Sequence, residues 1–288
     1  MSLGFDLCGI ARCRSLERQY DRFKNWLADG CDGGLEYLRR NTGKRFDPGA
    51  LCEGARSVIV CGVGYHRPPS AHEVASRIAS YAHSRDYHLT IRERLNELSA
   101  YLRELVPEAS GRVFTDTAPL AEKSWAVEAG LGWIGRNSLL ANPRLGSFLL
   151  LGEVVTTAEL EPDAPFVRDG CGTCRACVDA CPVAAIRPDR TIDAGRCISR
   201  RTIEAGDGDE GDLHGWLFGC DVCQRACPYN RKAPVSVHDS FAPLAELERL
   251  DVDDWLGLDE AGFRRIFGET PLARCGLRRL QERIRRLK

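Results

Sequence analysis

Leu16, Tyr20, Phe23 and Leu27 recur at steps of four, three and four, the spacing of one helix face. The chain is therefore predicted to open a helix at Ser15 and close it at Gly30. Ser57 to Val63 (SVIVCGV) is a β-branched run that predicts a buried strand. A second helix is expected over about 88–106, with Leu95, Leu98, Leu102 and Leu105 on one face and Pro107 as its stop. Arg112 to Thr115 reads as a short strand, residues 119–129 as a helix begun by Pro119 and ended by Gly130, and Ser147 to Thr157 as another buried strand. The alternation implies a layered α/β (α+β) domain on a mixed sheet over residues 1–165. Glu161 to Pro165 is a Pro-punctuated linker, after which short helices between cysteines mark a second domain over 166–232, with an acidic loop at Gly206 to Gly211. From 233 to 288 a short helical, charged C-terminal segment is predicted.

Composition adds a soluble, folded character: 43% of the 288 residues are hydrophobic and 28% are charged. Forty Lys and Arg balance 41 Asp and Glu, a net charge of −1, so a polyanionic partner must be met by a local basic patch. One candidate is the end of the chain, where Arg274, Arg278, Arg279, Arg283, Arg285, Arg286 and Lys288 face only Glu282. That stretch either grips phosphates or is a solvated helix face. No apolar run reaches the ~18 residues of a membrane span, and Met1 to Arg14 lacks the apolar core of a secretion signal, so a cytoplasmic protein is expected.

The 14 cysteines change the picture. Eight lie between Cys171 and Cys227, whereas Cys8, Cys13, Cys31, Cys52, Cys61 and Cys275 are scattered and read as small buried hydrophobes. Cys171, Cys174, Cys177 and Cys181-Pro182 spell C-x2-C-x2-C-x3-C-P, the bacterial ferredoxin run. In that run the fourth thiolate serves the other cluster, so a second set is required. Cys220, Cys223 and Cys227-Pro228 supply it, with Cys197 between the sets. The swapped allocation gives Cys171, Cys174, Cys177 and Cys227 to one [4Fe-4S] cluster and Cys181, Cys197, Cys220 and Cys223 to the other. Zinc C-x2-C pairs do not normally carry the C-x2-C-x3-C-P extension. Two such clusters form a wire for single electrons, and the first domain must hold what lies at its end.

Gly130-Leu131-Gly132-Trp133-Ile134-Gly135 matches a dinucleotide fingerprint, but a helix precedes it where a strand is needed. It reads instead as a loop whose backbone can approach a flat cofactor. Asp212-Leu213-His214 opens a histidine-on cobalamin pattern that fails at Leu217. His66, His72, His83, His88 and His238 form no metal spacing. Asp86-Tyr87-His88 suggests a helix N-cap with a packed Tyr and a partnered His. Asp116, in Thr115 to Pro119, either caps the helix that follows or presents a carboxyl at a strand end to a cleft for proton exchange.

Taken together, RDYH at 85–88, TDTAPLAEKSWA at 115–126, GLGWIGRNSLL at 130–140, GSFLLLGE at 146–153, RCISR at 196–200, CGTCRACVDACP and GCDVCQRACPYN resemble the epoxyqueuosine reductase family over most of the chain. The resemblance implies reduction of the epoxide of epoxyqueuosine, at the wobble position of a tRNA, to the alkene of queuosine with loss of water. Electrons would pass from an external low-potential donor through two [4Fe-4S] clusters to a cobalamin bound without a protein His ligand. It assigns the proton donor to Asp116, protonated in the working complex, and Ala118 replaces the glycine usual in that motif. It also implies cofactor contacts at Arg45, Asp116, Leu140, Leu151, Ser199, Cys220 and Asp221, positions that packing or a turn also explains. Some relatives carry a cysteine where Ala79 stands, and many continue into a helical-repeat domain that holds tRNA. The rival readings are a reductive dehalogenase-like corrinoid reductase and a two-cluster electron carrier.

Overall fold

The computed structural model describes residues 2–204 and 211–287, so most of the predicted acidic loop lies outside the described residues. Strands β1 (Leu7–Arg12), β2 (Ser57–Gly64), β3 (Gly111–Phe114) and β6 (Leu149–Thr156) form a four-stranded sheet in the order β1-β2-β6-β3, and β4 (Trp133–Ile134) pairs with β5 (Leu140–Ala141). The helices are α1 (Glu17–Ala28), α2 (Glu36–Arg39), α3 (Tyr87–Leu105), α4 (Glu122–Glu128), α5 (Ala176–Ala180) and α6 (Ile198–Ile203). They continue with α7 (Val222–Arg225), α8 (Pro228–Arg231), α9 (Val252–Gly257), α10 (Glu260–Phe267) and α11 (Leu277–Arg285). The fold is the expected α+β layer, but its four-stranded sheet is antiparallel throughout and not mixed as expected.

β2 and β6 run side by side in the middle and are buried on both faces, which is why each reads as an unbroken apolar run. On one face Val58, Val60, Leu151 and Val155 pack against Trp125 and Ala126 of α4. On the other, Ile59, Cys61, Leu150 and Val154 meet Ile91 and Leu95 of α3. A Cβ at Gly152 would stand 2.6 Å from Ile91 and 2.7 Å from Leu95, so the glycine sets how closely α3 approaches the sheet. Leu102 completes that helical stripe, whereas Leu105, expected on it, is 61% exposed at the frayed end. α4 begins three residues later than predicted, because Pro119 and Leu120 belong to the loop that carries Asp116 inward.

β1 was not predicted. Its sequence, LCGIAR, mixes Gly9 and Arg12 into a short edge strand. The segment read as a linker docks on it, Asp163 accepting from the Ile10 amide at 2.8 Å and donating its own amide back to the Ile10 carbonyl at 2.8 Å.

A second core joins Ile78, Leu217 and Phe218 to Trp255, Phe267, Leu272, Leu280 and Ile284. The C-terminal segment therefore shares a core with residues 74–82 of the first region. Arg283, expected on a basic surface, is only 2% exposed. It donates to the carbonyls of Thr202 at 2.9 Å and Leu217 at 2.6 Å, and to the Cys275 sulfur at 3.3 Å. Arg274 pairs with Glu204 at 2.5 Å and Arg278 with Glu282 at 3.2 Å. Among the described residues no helix is long and apolar enough to cross a membrane.

Arg283→Met leaves two buried carbonyls without this donor. The expected cost is at least ~2 kcal/mol, read as a lower melting temperature of the cluster-loaded protein with cluster absorbance intact.

Candidate active site and cluster centre

Each cysteine run folds into a loop followed by one short helical turn, with Cys174 exposed and the other thiols of the two runs part-buried. Among the described residues no three His, Cys, Asp or Glu side chains converge on a single metal ion. Burial, and then the neighbouring Cys171, Cys227 and Cys174, pushes the Cys177 thiol up. Burial, and then Cys197 and Cys181, pushes Cys220 up to about 12. Cys223 is raised by burial and then by Cys220 and Cys197. Cys177 also raises Cys223, so thiols of the two runs lie close together. Crowded, half-buried thiols fit a cationic iron-sulfur core, which stabilises thiolates that would otherwise repel one another. N–H donors surround them: Trp133 Nε1 lies 3.4 Å from Cys171 Sγ, and the Ala185 amide lies 3.3 Å from Cys181 Sγ.

The cluster region is pinned to the sheet by two side chains that drew no attention in the sequence. Asn230 accepts from the Ser147 amide at 2.6 Å, and Gln224 donates to the Ser147 carbonyl at 2.8 Å, all three residues being buried. Both follow cluster cysteines closely, and that adjacency was the available signal.

Asp116 follows β3 in a tight turn closed by the Thr117 amide on the Thr115 carbonyl at 2.6 Å. Its φ of 48° is left-handed, a conformation that a non-glycine residue holds only when its surroundings enforce it. The enforcing contacts are its own amide donating to Glu122 and its carboxylate bonded to His88 Nε2 at 3.1 Å. It caps no helix, because α4 starts at Glu122 after Ala121; the carboxyl faces a cleft instead. His88 is held from behind by Asp86, the N-cap of α3, whose Oδ1 lies 2.6 Å from His88 Nδ1. The Tyr87 ring stacks on His88 at 4.1 Å, and its hydroxyl helps hold the Asp116 carboxyl down.

Burial alone would lower His88, but its bonds to Asp116 and Asp86 prevail and raise it to about 9. Burial likewise works to raise Asp116, and the hydrogen bond from charged His88 overcomes it, holding the carboxyl below its ordinary range. The expected protonation of Asp116 belongs to the working complex, whereas these contacts by themselves favour its carboxylate. At neutral pH the proton resides on the imidazole, one hydrogen bond from the carboxylate.

Two cavities, of about 480 Å³ and 510 Å³, share Asp116 and Tyr37 in their walls. The first is lined by Phe23, Trp26, Arg45, Phe46 and the β4–β5 hairpin tip at Asn137 and Ser138. The second is lined by Tyr81, Tyr87, His88, Ser199, Phe218 and Arg274. Arg45 donates to the Tyr37 carbonyl at 3.2 Å, and its buried Nε finds no partner among the described residues. Ser199 lines the cleft as expected. Leu140 and Leu151 do not: both side chains belong to the sheet core, at 3% and 8% exposure. Asp221 is also spent elsewhere, accepting from the Ser80 amide at 2.8 Å and hydroxyl at 2.7 Å. The glycines of the β4–β5 hairpin serve packing, since a Cβ at Gly132 would lie 2.1 Å from the Ala141 carbonyl oxygen and one at Gly130 2.7 Å from that of Ala164.

A domain that houses a double cluster behind a cleft with a carboxylate–imidazole pair defines an iron-sulfur oxidoreductase. Residues 170–230 match the family model "4Fe-4S double cluster binding domain" and residues 45–117 match "Epoxyqueuosine reductase QueG, DUF1730". The epoxyqueuosine reductase of Cyclobacterium marinum is 41% identical over 98% of this chain and 92% of its own. A structure of epoxyqueuosine reductase with an epoxyqueuosine-modified tRNA-Tyr stem loop superposes with a TM-score of 0.87, at 26% identity over 98% of this chain and 77% of that one. A Bacillus subtilis epoxyqueuosine reductase, described with its catalytic aspartate loop swung out of the active site, superposes with the same TM-score, identity and coverage. The chain belongs to the epoxyqueuosine reductase family, and it binds two [4Fe-4S] clusters.

Cys227→Ser is expected to lower the iron content of the anaerobically assembled protein from about eight to about four atoms. The surviving cluster should be the one lost in Cys220→Ser, as the two paramagnetic signals of the reduced variants will show.

Proposed function

We propose that this chain reduces the epoxide of epoxyqueuosine in the tRNA wobble position to the alkene of queuosine, with Asp116 as the group that protonates the departing oxygen. The relation of Asp116 to His88 carries this reading. An epoxide oxygen leaves poorly as an alkoxide, and here a carboxylate faces the cleft with a charged imidazole 3.1 Å behind it. His88 stores the proton, Asp116 carries it to substrate, and Asp86 holds the imidazole in place as it cycles. The tRNA stem loop bound by one relative and the catalytic aspartate loop of another support the substrate and the residue.

The two cavities form one trough divided by Asp116 and Tyr37. We assign the trough to a cobalamin that spans both halves, because Ser199 and Phe218 in one wall stand two residues from Cys197 and Cys220 and Arg45 lines the other half. The trough fits such a group: it has aromatic walls, and the buried Arg45 Nε is a donor in want of an acceptor, as an amide- or phosphate-fringed ring supplies. When bound, cobalamin supplies a cobalt centre able to give electrons to the substrate carbon. Arg45 would fix its polar fringe, and Tyr81 and Tyr87 would exclude water from the reacting carbon. The epoxide then meets Asp116, which stands in the wall of both halves. Electrons enter from an external low-potential donor, and the reaction belongs to the cytoplasm, where its substrate is made.

Asp116→Asn is expected to lower turnover of epoxyqueuosine-containing tRNA by at least ~10²-fold while cluster and corrin absorbance persist. In the unmodified enzyme the rate should fall as pH rises through about 9, where His88 loses its proton. Full activity in Asp116→Asn would overturn the assignment.

A further inference from the structure

Removing an epoxide oxygen as water consumes two electrons and two protons. Both C–O bonds break, one C=C bond forms, and the oxygen leaves with two hydrogens. The low-potential donor supplies the electrons. His88 and Asp116 share one proton between them, so a second must come from elsewhere.

On its other flank Asp116 meets a carboxyl that this relay does not use. The Asp116 amide donates to Glu122 Oε1, and Glu122 lines the first cavity at the start of α4. Behind it, at the centre of β6, stands Glu153, directly opposite Val60 on β2 and Phe114 on β3. Glu153 is 0% exposed, and neither of its oxygens finds a partner among the described residues. An ionised carboxylate there would be prohibitively costly, so the group is a neutral acid. Strand parity puts it on the α4 face, with Val58, Leu151 and Val155.

We propose that Glu122, backed by Glu153, is the second proton store of the reaction, recharging Asp116 for the departing hydroxyl after His88 has supplied the proton that opens the ring. The inference rests on the epoxide-reductase reading and makes Glu122 a positioning residue that acts through Asp116. Burial, followed by the charge of Asp116, raises Glu122 to about 8, and Lys123 and His88 oppose that rise. Burial, then Glu122 and Asp116, raises Glu153 further. The remaining charges around Asp116 are Asp86 behind His88, and Arg45 and Arg274 across the cleft. Burial and the charge of Asp116 thus favour a protonated Glu122, which accepts from the backbone amide of the residue it would refill.

The test uses Glu122→Gln, Glu122→Asp and Glu153→Gln in the cluster- and cobalamin-loaded enzyme, assayed between about pH 6 and 10. Glutamine keeps an oxygen for the Asp116 amide but has no acidic proton. Glu122→Gln should therefore lower kcat on the order of 10²-fold with KM unchanged, and its pH profile should lose the ionisation near 8 while keeping the one near 9. Glu122→Asp should restore part of the rate. Infrared spectra of the unmodified enzyme at neutral pH should show carbonyl bands of protonated carboxyls, one removed by Glu122→Gln and another by Glu153→Gln. A Glu122→Gln enzyme with unaltered rate and pH profile would overturn the proposal, since the second proton would then come from water. So would spectra without a protonated carboxyl assignable to Glu122. An unmodified enzyme inactive on epoxyqueuosine-containing tRNA would instead sink the functional reading, and the infrared result would still be decided independently.

Discussion

The hydrogen-bonded line Asp86–His88–Asp116 is the interaction on which the site depends. It fixes a residue in a left-handed turn, keeps an imidazole charged beyond neutral pH and leaves a carboxylate in a cleft with a proton one bond away. Each partner would behave differently alone. Burial would discharge His88 and protonate Asp116; together they reverse both tendencies. The N-cap of α3 supplies one end of the line and the turn after β3 the other, so packing of α3 on β6 at Gly152 sets the distance between them.

The same sheet positions the electron route. Asn230 and Gln224 tie the second cysteine run to Ser147, two residues before β6, and β6 is hydrogen-bonded along its length to the strands beside it. Arg283 ties α11 to the loop around the cluster thiols through Thr202 and Leu217. Electrons and protons thus reach one cleft by two routes that share a rigid frame, as required of a reaction whose parts must be held to a fraction of an ångström.

Much of this was legible in the residues because the signals were local. Thiol spacing alone grouped the eight cluster cysteines. The Asp86 cap, the packed Tyr87 and the partnered His88 followed from three consecutive positions. What failed depended on the third dimension. Arg283 reads as surface charge in a basic stretch, and only its register on α11 turns it toward buried carbonyls. Leu140 and Leu151 were read as cofactor contacts or as packing, and which face of the strand carries their side chains emerges only in the folded sheet. β1 was hidden by Gly9, whose missing side chain lets the strand lie against the Ala129 carbonyl. That His88 is the partner of Asp116 was not legible, because the two lie 28 residues apart. Glu153 did leave a trace, a lone acid inside the apolar run LLLGEVV, but its closeness to Glu122 comes from the stacking of α4 on the sheet.

The ionisation of His88 tests the central claim most directly. Nuclear magnetic resonance of ring-labelled histidine should show this imidazole charged up to about pH 9 in the unmodified protein, with its midpoint falling toward the ordinary ~6.5 when Asp116 is replaced by Asn. A midpoint near that ordinary value in both proteins would contradict the account.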